Sequence, residues 1–257
     1  MLLASQIDIF ILMAGMGARF KRDEFKSPKP LIKFKDKPLF AWALKSVQDL
    51  LPLVNLHLVI CAEDKIHEKV ELELTKLSEL NFHTVHIITL PRRTAGPLQT
   101  AVQAVRQAAS YESNNPVVFG DCDLYFDSPS WIKALRNWNE GENSVDALLM
   151  TFNADAEKHS FVRVDKNGFA TEVAEKKVIS NNAVVGFYAL KNSRLFLQTA
   201  NKVLDGMPTK TGEYFISQVY NELIQAGKIV KVSEVEKLLL LGTPEELEQA
   251  NKSDLPE

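Results

Sequence analysis

A chain of 257 residues, 46% apolar and 25% charged, has the length and composition of one large globular core with room for a smaller subdomain. Its formal charge of −3 excludes the basic balance of a nucleic-acid binder. No apolar run reaches the ~18 residues needed to cross a bilayer, and the opening MLLASQID has no basic stretch ahead of a long apolar one, so neither membrane nor signal peptide is expected.

The first predicted element is an apolar β-rich run, Ile7 to Met13, which stops at Ala14-Gly15-Met16-Gly17. Two glycines one residue apart allow a tight bend and bring bare N–H groups close to a ligand. Arg19 follows at once, and Lys29 sits between Pro28 and Pro30; residues 19–37 carry eight Lys/Arg against three Asp/Glu. Backbone donors with two cations suit an oligophosphate; a plain strand-end turn with solvated lysines is the structural alternative. A dinucleotide fingerprint would need a third glycine where Phe20 stands, and no Gly-Lys-Ser/Thr of a Walker loop follows.

Residues 38–51 have helical spacing, with Asp36 as cap and Pro52 as stop. Residues 55–62 read as a buried strand, 64–80 as an amphipathic helix, 82–90 as a strand, about 97–109 as a helix and 116–120 as a strand. This alternation predicts an α/β fold, a doubly wound sheet with parallel pairing. After Asp146 the pattern turns β-rich: ALLMTF, SFVRVD, GFATEVAE and AVVGFYAL, with Asp165-Lys166-Asn167-Gly168 as a hairpin turn. Helices at about 193–205 and 213–226, a strand KIVKV and a helix after Gly242-Thr243-Pro244 complete the chain. Cys61 and Cys122 are far apart, with neither metal nor disulfide-framework spacing, which fits a cytoplasmic protein.

Ligands of open α/β sheets bind outside the carboxyl ends of the strands. The glycine bend, Thr94-Ala95-Gly96 and Gly120-Asp121-Cys122-Asp123 all follow strands, so they are expected to converge. Asp121 and Asp123, at i and i+2 on a turn, can both approach one hard cation, Mg²⁺ rather than zinc given oxygen ligands and no His/Cys cluster. The competing reading is an Asx-turn or cap toward Ser128-Pro129, a role that suits Asp127 better. Thr94 to Ala101 is a helix start in small residues, where Gln99 could read a base edge.

Gly15-x-Gly17-x-Arg19 followed by Pro28-Lys29-Pro30-Leu31 resembles the signature of the sugar-1-phosphate nucleotidyltransferases, which make nucleotide sugars. The resemblance runs over nearly the whole chain and implies one domain over 1–257 with a Rossmann-like mixed sheet of glycosyltransferase A type. Residues 1–145 would form a nucleotide-binding half and the β-rich 146–257 an acceptor-binding half. Met13, Ala14, Gly15, Gly17 and Arg19 would hold the triphosphate and Lys29 the reacting phosphate. Thr94, Ala95, Gly96 and Gln99 would lie against base and ribose, with Gly120 and Asp121 completing the nucleotide site. Val173-Ala174-Glu175-Lys176-Lys177 resembles the family's acceptor motif, Glu175 taking acceptor hydroxyls or amines and Lys176 the acceptor phosphate. Asn182 and Gly186, in ISNNAVVGFY, also match, and Glu213 is a weaker acceptor candidate.

One departure stands out: Leu240 occupies the position where the family often has a second metal-binding aspartate. The Leu-Gly-Thr-Pro-Glu ending, VAEKK-x-ISNNA and the GEY segment resemble a capsule-associated branch. The expected activity is Mg²⁺-dependent transfer of NMP from an NTP to a small phosphorylated acceptor, with Arg19, Lys29, Asp121 and Lys176 as catalytic groups. The acceptor would be a sugar-1-phosphate or a non-sugar phosphate of phosphocholine or phosphoglutamine type; a homo-oligomer is compatible. A metal-dependent glycosyltransferase and a non-catalytic nucleotide-binding homologue are the alternatives.

Overall fold

The computed structural model describes residues 7–20, 25, 27–108, 113–139 and 144–253. Lys21, Arg22, Asp23, Glu24 and Lys26 of the basic stretch lie outside them. In chain order the elements are β1 (Ile7–Leu12), β2 (Lys33–Phe34), β3 (Lys37–Pro38), α1 (Leu39–Ser46), β4 (Val54–Cys61), α2 (His67–Thr75), β5 (Thr84–Leu90), α3 (Pro97–Gln107) and β6 (Val117–Asp121). There follow β7 (Leu124–Asp127), α4 (Pro129–Asn139), β8 (Ala147–Asn153), β9 (Ser160–Val164), β10 (Ala170–Glu175) and β11 (Asn182–Leu190). The chain closes with α5 (Ser193–Asp205), α6 (Ser217–Gln225), β12 (Val230–Glu234), β13 (Lys237–Leu240) and α7 (Pro244–Asn251).

The fold is the expected mixed α/β sheet. β6, β1, β4 and β5 run parallel; β11 joins the edge of β6 antiparallel and carries β8 and β12, with the β9–β10 hairpin at its start. Alternation along β1 sorts its side chains: Ile7, Ile9 and Ile11 join α1, α2 and α4 on one face, whereas Phe10 joins α3, α5 and α6 on the other. Buried apolar strands between two helical layers are what parallel pairing requires. In the hairpin turn, Asp165 accepts from the N–H groups of Asn167 (2.8 Å) and Phe169 (2.9 Å), and Gly168 takes φ 81°. Those bonds hold the Asp165 carboxyl below its ordinary range.

Several boundaries differ from expectation. Asp36 does not cap α1; it takes φ 65° in the turn between β2 and β3, and Pro38 precedes the helix. α2 ends at Thr75; Leu77 and Leu80 beyond it are buried in the core, but from turns rather than a continued helix. β7, α4 and β13 were not anticipated: β7 pairs antiparallel with β13, too short a ladder to announce itself by alternation. That pairing and Trp42, Tyr125, Leu239 and Leu247 form a third apolar cluster, which also seats Phe20 and Ile32 beside Lys29.

Candidate active site

β1 ends in the bend as expected, and the bend packs on the lysine segment. Gly17 takes φ 58°, and a Cβ there would stand 2.9 Å from the Lys29 Cβ. Pro28 enters a single 3₁₀ turn, Lys29–Leu31, closed by the Leu31 N–H on the Pro28 carbonyl at 2.9 Å. Proline fixes φ there, so the lysine stem is aimed rather than free. The Lys29 Nζ lies 2.6 Å from Asp123 Oδ2. Burial opposes its charge, but Asp123 above all, with Asp121, more than offsets this and pushes its pKa above the ordinary lysine value.

The aspartate turn is shaped by glycines. Gly120 is small because the Phe187 ring lies over it: a Cβ would come within 2.4 Å of that ring. β11 has a register irregularity between Val184 and Tyr188, and this bulge puts Gly186 against Asp121, whose Oδ2 would be 2.0 Å from a Cβ there. Asp123 stands likewise against Gly242, at 2.3 Å, while its carbonyl accepts from the Leu241 N–H at 2.9 Å. Burial, then the neighbouring Asp123, raises the Asp121 carboxyl from 3.8 to about 7, against the pull of Lys29. Burial likewise pushes the Cys122 thiol up, so it stays protonated.

On the far wall, Glu175 accepts from the hydroxyls of Ser160 and, at 2.7 Å, Ser217. Lys176 holds the left-handed conformation, φ 51°, with its N–H on the His159 carbonyl at 3.1 Å. Its ammonium lies 4.3 Å above the Phe215 ring and 3.7 Å from Glu213. Lys158 pairs with Glu246 at 2.5 Å, and Glu246 also accepts from the Gly242 N–H at 2.9 Å.

These walls enclose one cavity of about 450 Å³. Met13, Ala14, Gly15, Gly17, Arg19, Lys29, Thr94, Gly96, Asp121, Asp123, Glu175, Lys176, Gly186 and Glu213 all line it, as does Leu240. Four expected residues do not line it. Gly120 lies beneath Phe187; Ala95 gives its N–H to the Gln99 side chain at 2.8 Å; and Gln99 thereby caps its own helix instead of presenting its amide to the cavity. Asn182 pairs with Asn153 at the start of β11 and turns its amide to the Val162 carbonyl at 3.4 Å. Gly96, at φ 116°, is small for another reason than a base: the Tyr214 backbone lies against it, within 2.5 Å of a Cβ.

Arg93, Lys158, His159, Ser160, Tyr188, Phe215 and Glu246 also line the cavity and were not anticipated. Arg93, beside Thr94 after a predicted strand, and Tyr188, in the ISNNAVVGFY segment, carried a sequence signal; Ser160 and Glu246 come from β9 and α7, and Lys158, His159 and Phe215 from the loops between elements. Burial, with Asp121 and Glu175 nearby, raises the Tyr188 hydroxyl well above its usual range. Among the described residues no three His, Cys, Asp or Glu side chains form a metal-binding group. Mg²⁺ needs only one or two protein carboxylates when phosphates and water complete the shell, so Asp121 and Asp123, each given room by a glycine, fit it.

A strand-end bend, a phosphate-sized basic wall and paired carboxylates under a mixed sheet define a nucleotide-processing class, and the comparisons specify it. Residues 9–172 match the MobA-like NTP transferase domain, and the chain belongs to that family. Mannose-1-phosphate guanylyltransferase catalytic subunit beta of Drosophila melanogaster is 27% identical over 188 residues, 72% of this chain and 48% of the fly protein. The chain thus spans about half the length of the curated relatives it matches. In fold it is similar to the nucleoside-diphosphate-sugar pyrophosphorylase of Vibrio cholerae (TM-score 0.79, 18% identity, 96% of this chain and 100% of that one). It is also similar to a UDP-glucose pyrophosphorylase complexed with UDP-glucose (TM-score 0.74, 17% identity, 96% and 97% covered). No helix among the described residues is long and apolar enough to cross a membrane.

Proposed function

We propose that this chain transfers NMP from an NTP to a small phosphorylated acceptor, by preference a sugar-1-phosphate, and releases pyrophosphate. The observation that carries the reading is the meeting of the glycine bend, Arg19, Lys29, Asp121, Asp123 and Lys176 in one cavity. Residues 1–145 take the nucleotide and 146–257 the acceptor. The acceptor phosphate oxygen attacks the α-phosphorus; that P–O bond forms as the bond to the β-phosphate breaks and pyrophosphate leaves. The attacking oxygen is already anionic, so no protein nucleophile is needed, and catalysis is positioning and charge neutralisation.

In this reading the N–H groups of the bend and Arg19 hold the β- and γ-phosphates. Lys29 carries its fixed charge to the α-phosphate, exchanging Asp123 for a phosphoryl oxygen. Lys176 receives the acceptor phosphate, and Glu175, set by two serine hydroxyls, orients acceptor hydroxyls. Mg²⁺, held by Asp121 and Asp123, would supply further neutralisation of the phosphates. The relatives' substrates favour a sugar phosphate, and the resemblance of the VAEKK and ISNNA segments to a capsule-associated branch favours surface-polysaccharide precursors made in the cytoplasm.

A matrix of CTP, UTP, GTP and dTTP against sugar-1-phosphates and small non-sugar phosphates, scored by pyrophosphate release with MgCl₂, tests the reading. One or a few pairs are expected to turn over. Nucleotide binding without turnover on any acceptor would favour the non-catalytic reading, which Leu240 in the cavity wall motivates.

A further inference from the structure

We propose that Arg93 and Asp64 are positioning residues that hold the Ala14–Gly17 bend in the shape that receives the nucleotide; this rests on the functional reading above. Arg93 follows β5 and reaches back across the sheet edge. Its Nη1 donates to the Ala14 carbonyl at 2.9 Å, its Nη2 pairs with Asp64, and its Nε lies 3.6 Å from Glu63. One planar guanidinium thus ties together the loops that leave β1, β4 and β5, a geometry that a point charge on a flexible stem cannot reproduce.

The bend depends on such a tie. Upstream, the Met13 N–H is bonded to the Val59 carbonyl at 2.8 Å, and downstream the Gly17 carbonyl accepts from the Phe20 N–H at 3.0 Å. Between them Gly15 has nothing within 4 Å of where a Cβ would be, so packing does not hold it. Arg93 acts on the carbonyl immediately before it. Two carboxylates, Glu63 and Asp64, face this one cation, so its charge is largely spent on the anchor rather than offered to a ligand. Asp64 itself does not line the cavity; it sits on a 3₁₀ turn, Ala62–Asp64, closed by Lys65 at φ 51°. A change at Asp64 therefore reaches the nucleotide through Arg93.

The test uses the full chain with Asp64→Asn and Arg93→Lys. Calorimetry with CTP, UTP, GTP and dTTP in MgCl₂ reads affinity, and steady-state kinetics follow on the pair that the wild type uses. Asp64→Asn is expected to weaken nucleotide binding and raise nucleotide KM about tenfold. For Asp64→Asn, kcat, acceptor KM and melting temperature should stay near wild type, while Arg93→Lys, a change in the cavity wall itself, should weaken nucleotide binding at least as much. Nucleotide affinity within about twofold of wild type in both variants would overturn the anchor, as would a joint loss of kcat, both KM values and thermal stability. If the wild type binds none of the four nucleotides, the functional reading falls and the anchor with it; if it binds and the variants match it, the anchor falls alone.

Discussion

Lys29, Asp123 and Asp121 make a charge triad in which one cation serves two half-buried carboxylates. The cost falls on Asp121, whose carboxyl stands at about 7, above its ordinary value of 3.8. A carboxyl raised in the folded state contributes stability that is complete below about pH 4 and lost as pH rises through 7. Asp121→Asn should therefore melt higher than wild type at pH 8 without ligand, by roughly 2–4 °C, with the gap closing near pH 5. A melting series from pH 5 to 8 checks this; a lower Tm for the variant at pH 8 would contradict it. Lys29→Ala should cut turnover more than tenfold while circular dichroism stays that of the wild type. Lys176 holds a left-handed backbone that glycine adopts without strain. Lys176→Gly is thus expected to be neutral or stabilising by up to about 1 kcal/mol in urea titration, yet to raise acceptor KM about tenfold or more.

At the scale of elements, glycines fix which surfaces can approach. Gly96 at φ 116° opens α3 while the Tyr214 carbonyl accepts from the Leu98 N–H at 3.0 Å and the Tyr214 N–H reaches the Ala95 carbonyl at 2.8 Å. This short ladder joins the start of α3 to the segment before α6. Gly96→Ala meets both a disfavoured φ and a backbone contact, and should cost about 1–3 kcal/mol by chemical denaturation; an unchanged midpoint would refute the packing role. The sheet, the parallel pairing of its first strands and the loops at their carboxyl ends were legible, because buried strands in Val, Ile and Phe alternate with helical spacing. β7 and β13 were not, since a ladder of four residues has no period to read; α4 was missed although PSWIKALRNWN has helical spacing, because Ser128-Pro129 by itself reads as a loop. In the site, the residues carried by strand-end turns were legible. Gln99 and Asn182 stand off the cavity because side-chain amides choose between a ligand and the nearest unpaired backbone group, and here they bond the backbone. Lys158 and His159 were invisible, because the β8–β9 turn that brings them to the cavity has no local signature.

Over the whole molecule, the carboxyl ends of the parallel strands form one wall of the cavity, and the antiparallel extension from β11 supplies a second. The family match covers residues 9–172, so it includes the bend, the aspartate turn and the start of β10 but ends before Glu175 and Lys176. Under the proposed function, this second wall is where the acceptor would be chosen, through Lys176, Glu213 and Phe215 against Glu175. The claim on which all of this depends is capture of an oligophosphate at the end of β1. A crystal structure with CTP or UTP and MgCl₂ tests it most directly. The account predicts phosphate density against the N–H groups of Gly15 to Arg19 with Lys29 moved off Asp123. Nucleotide bound elsewhere, with that bend bare and the Lys29–Asp123 pair intact, would contradict it.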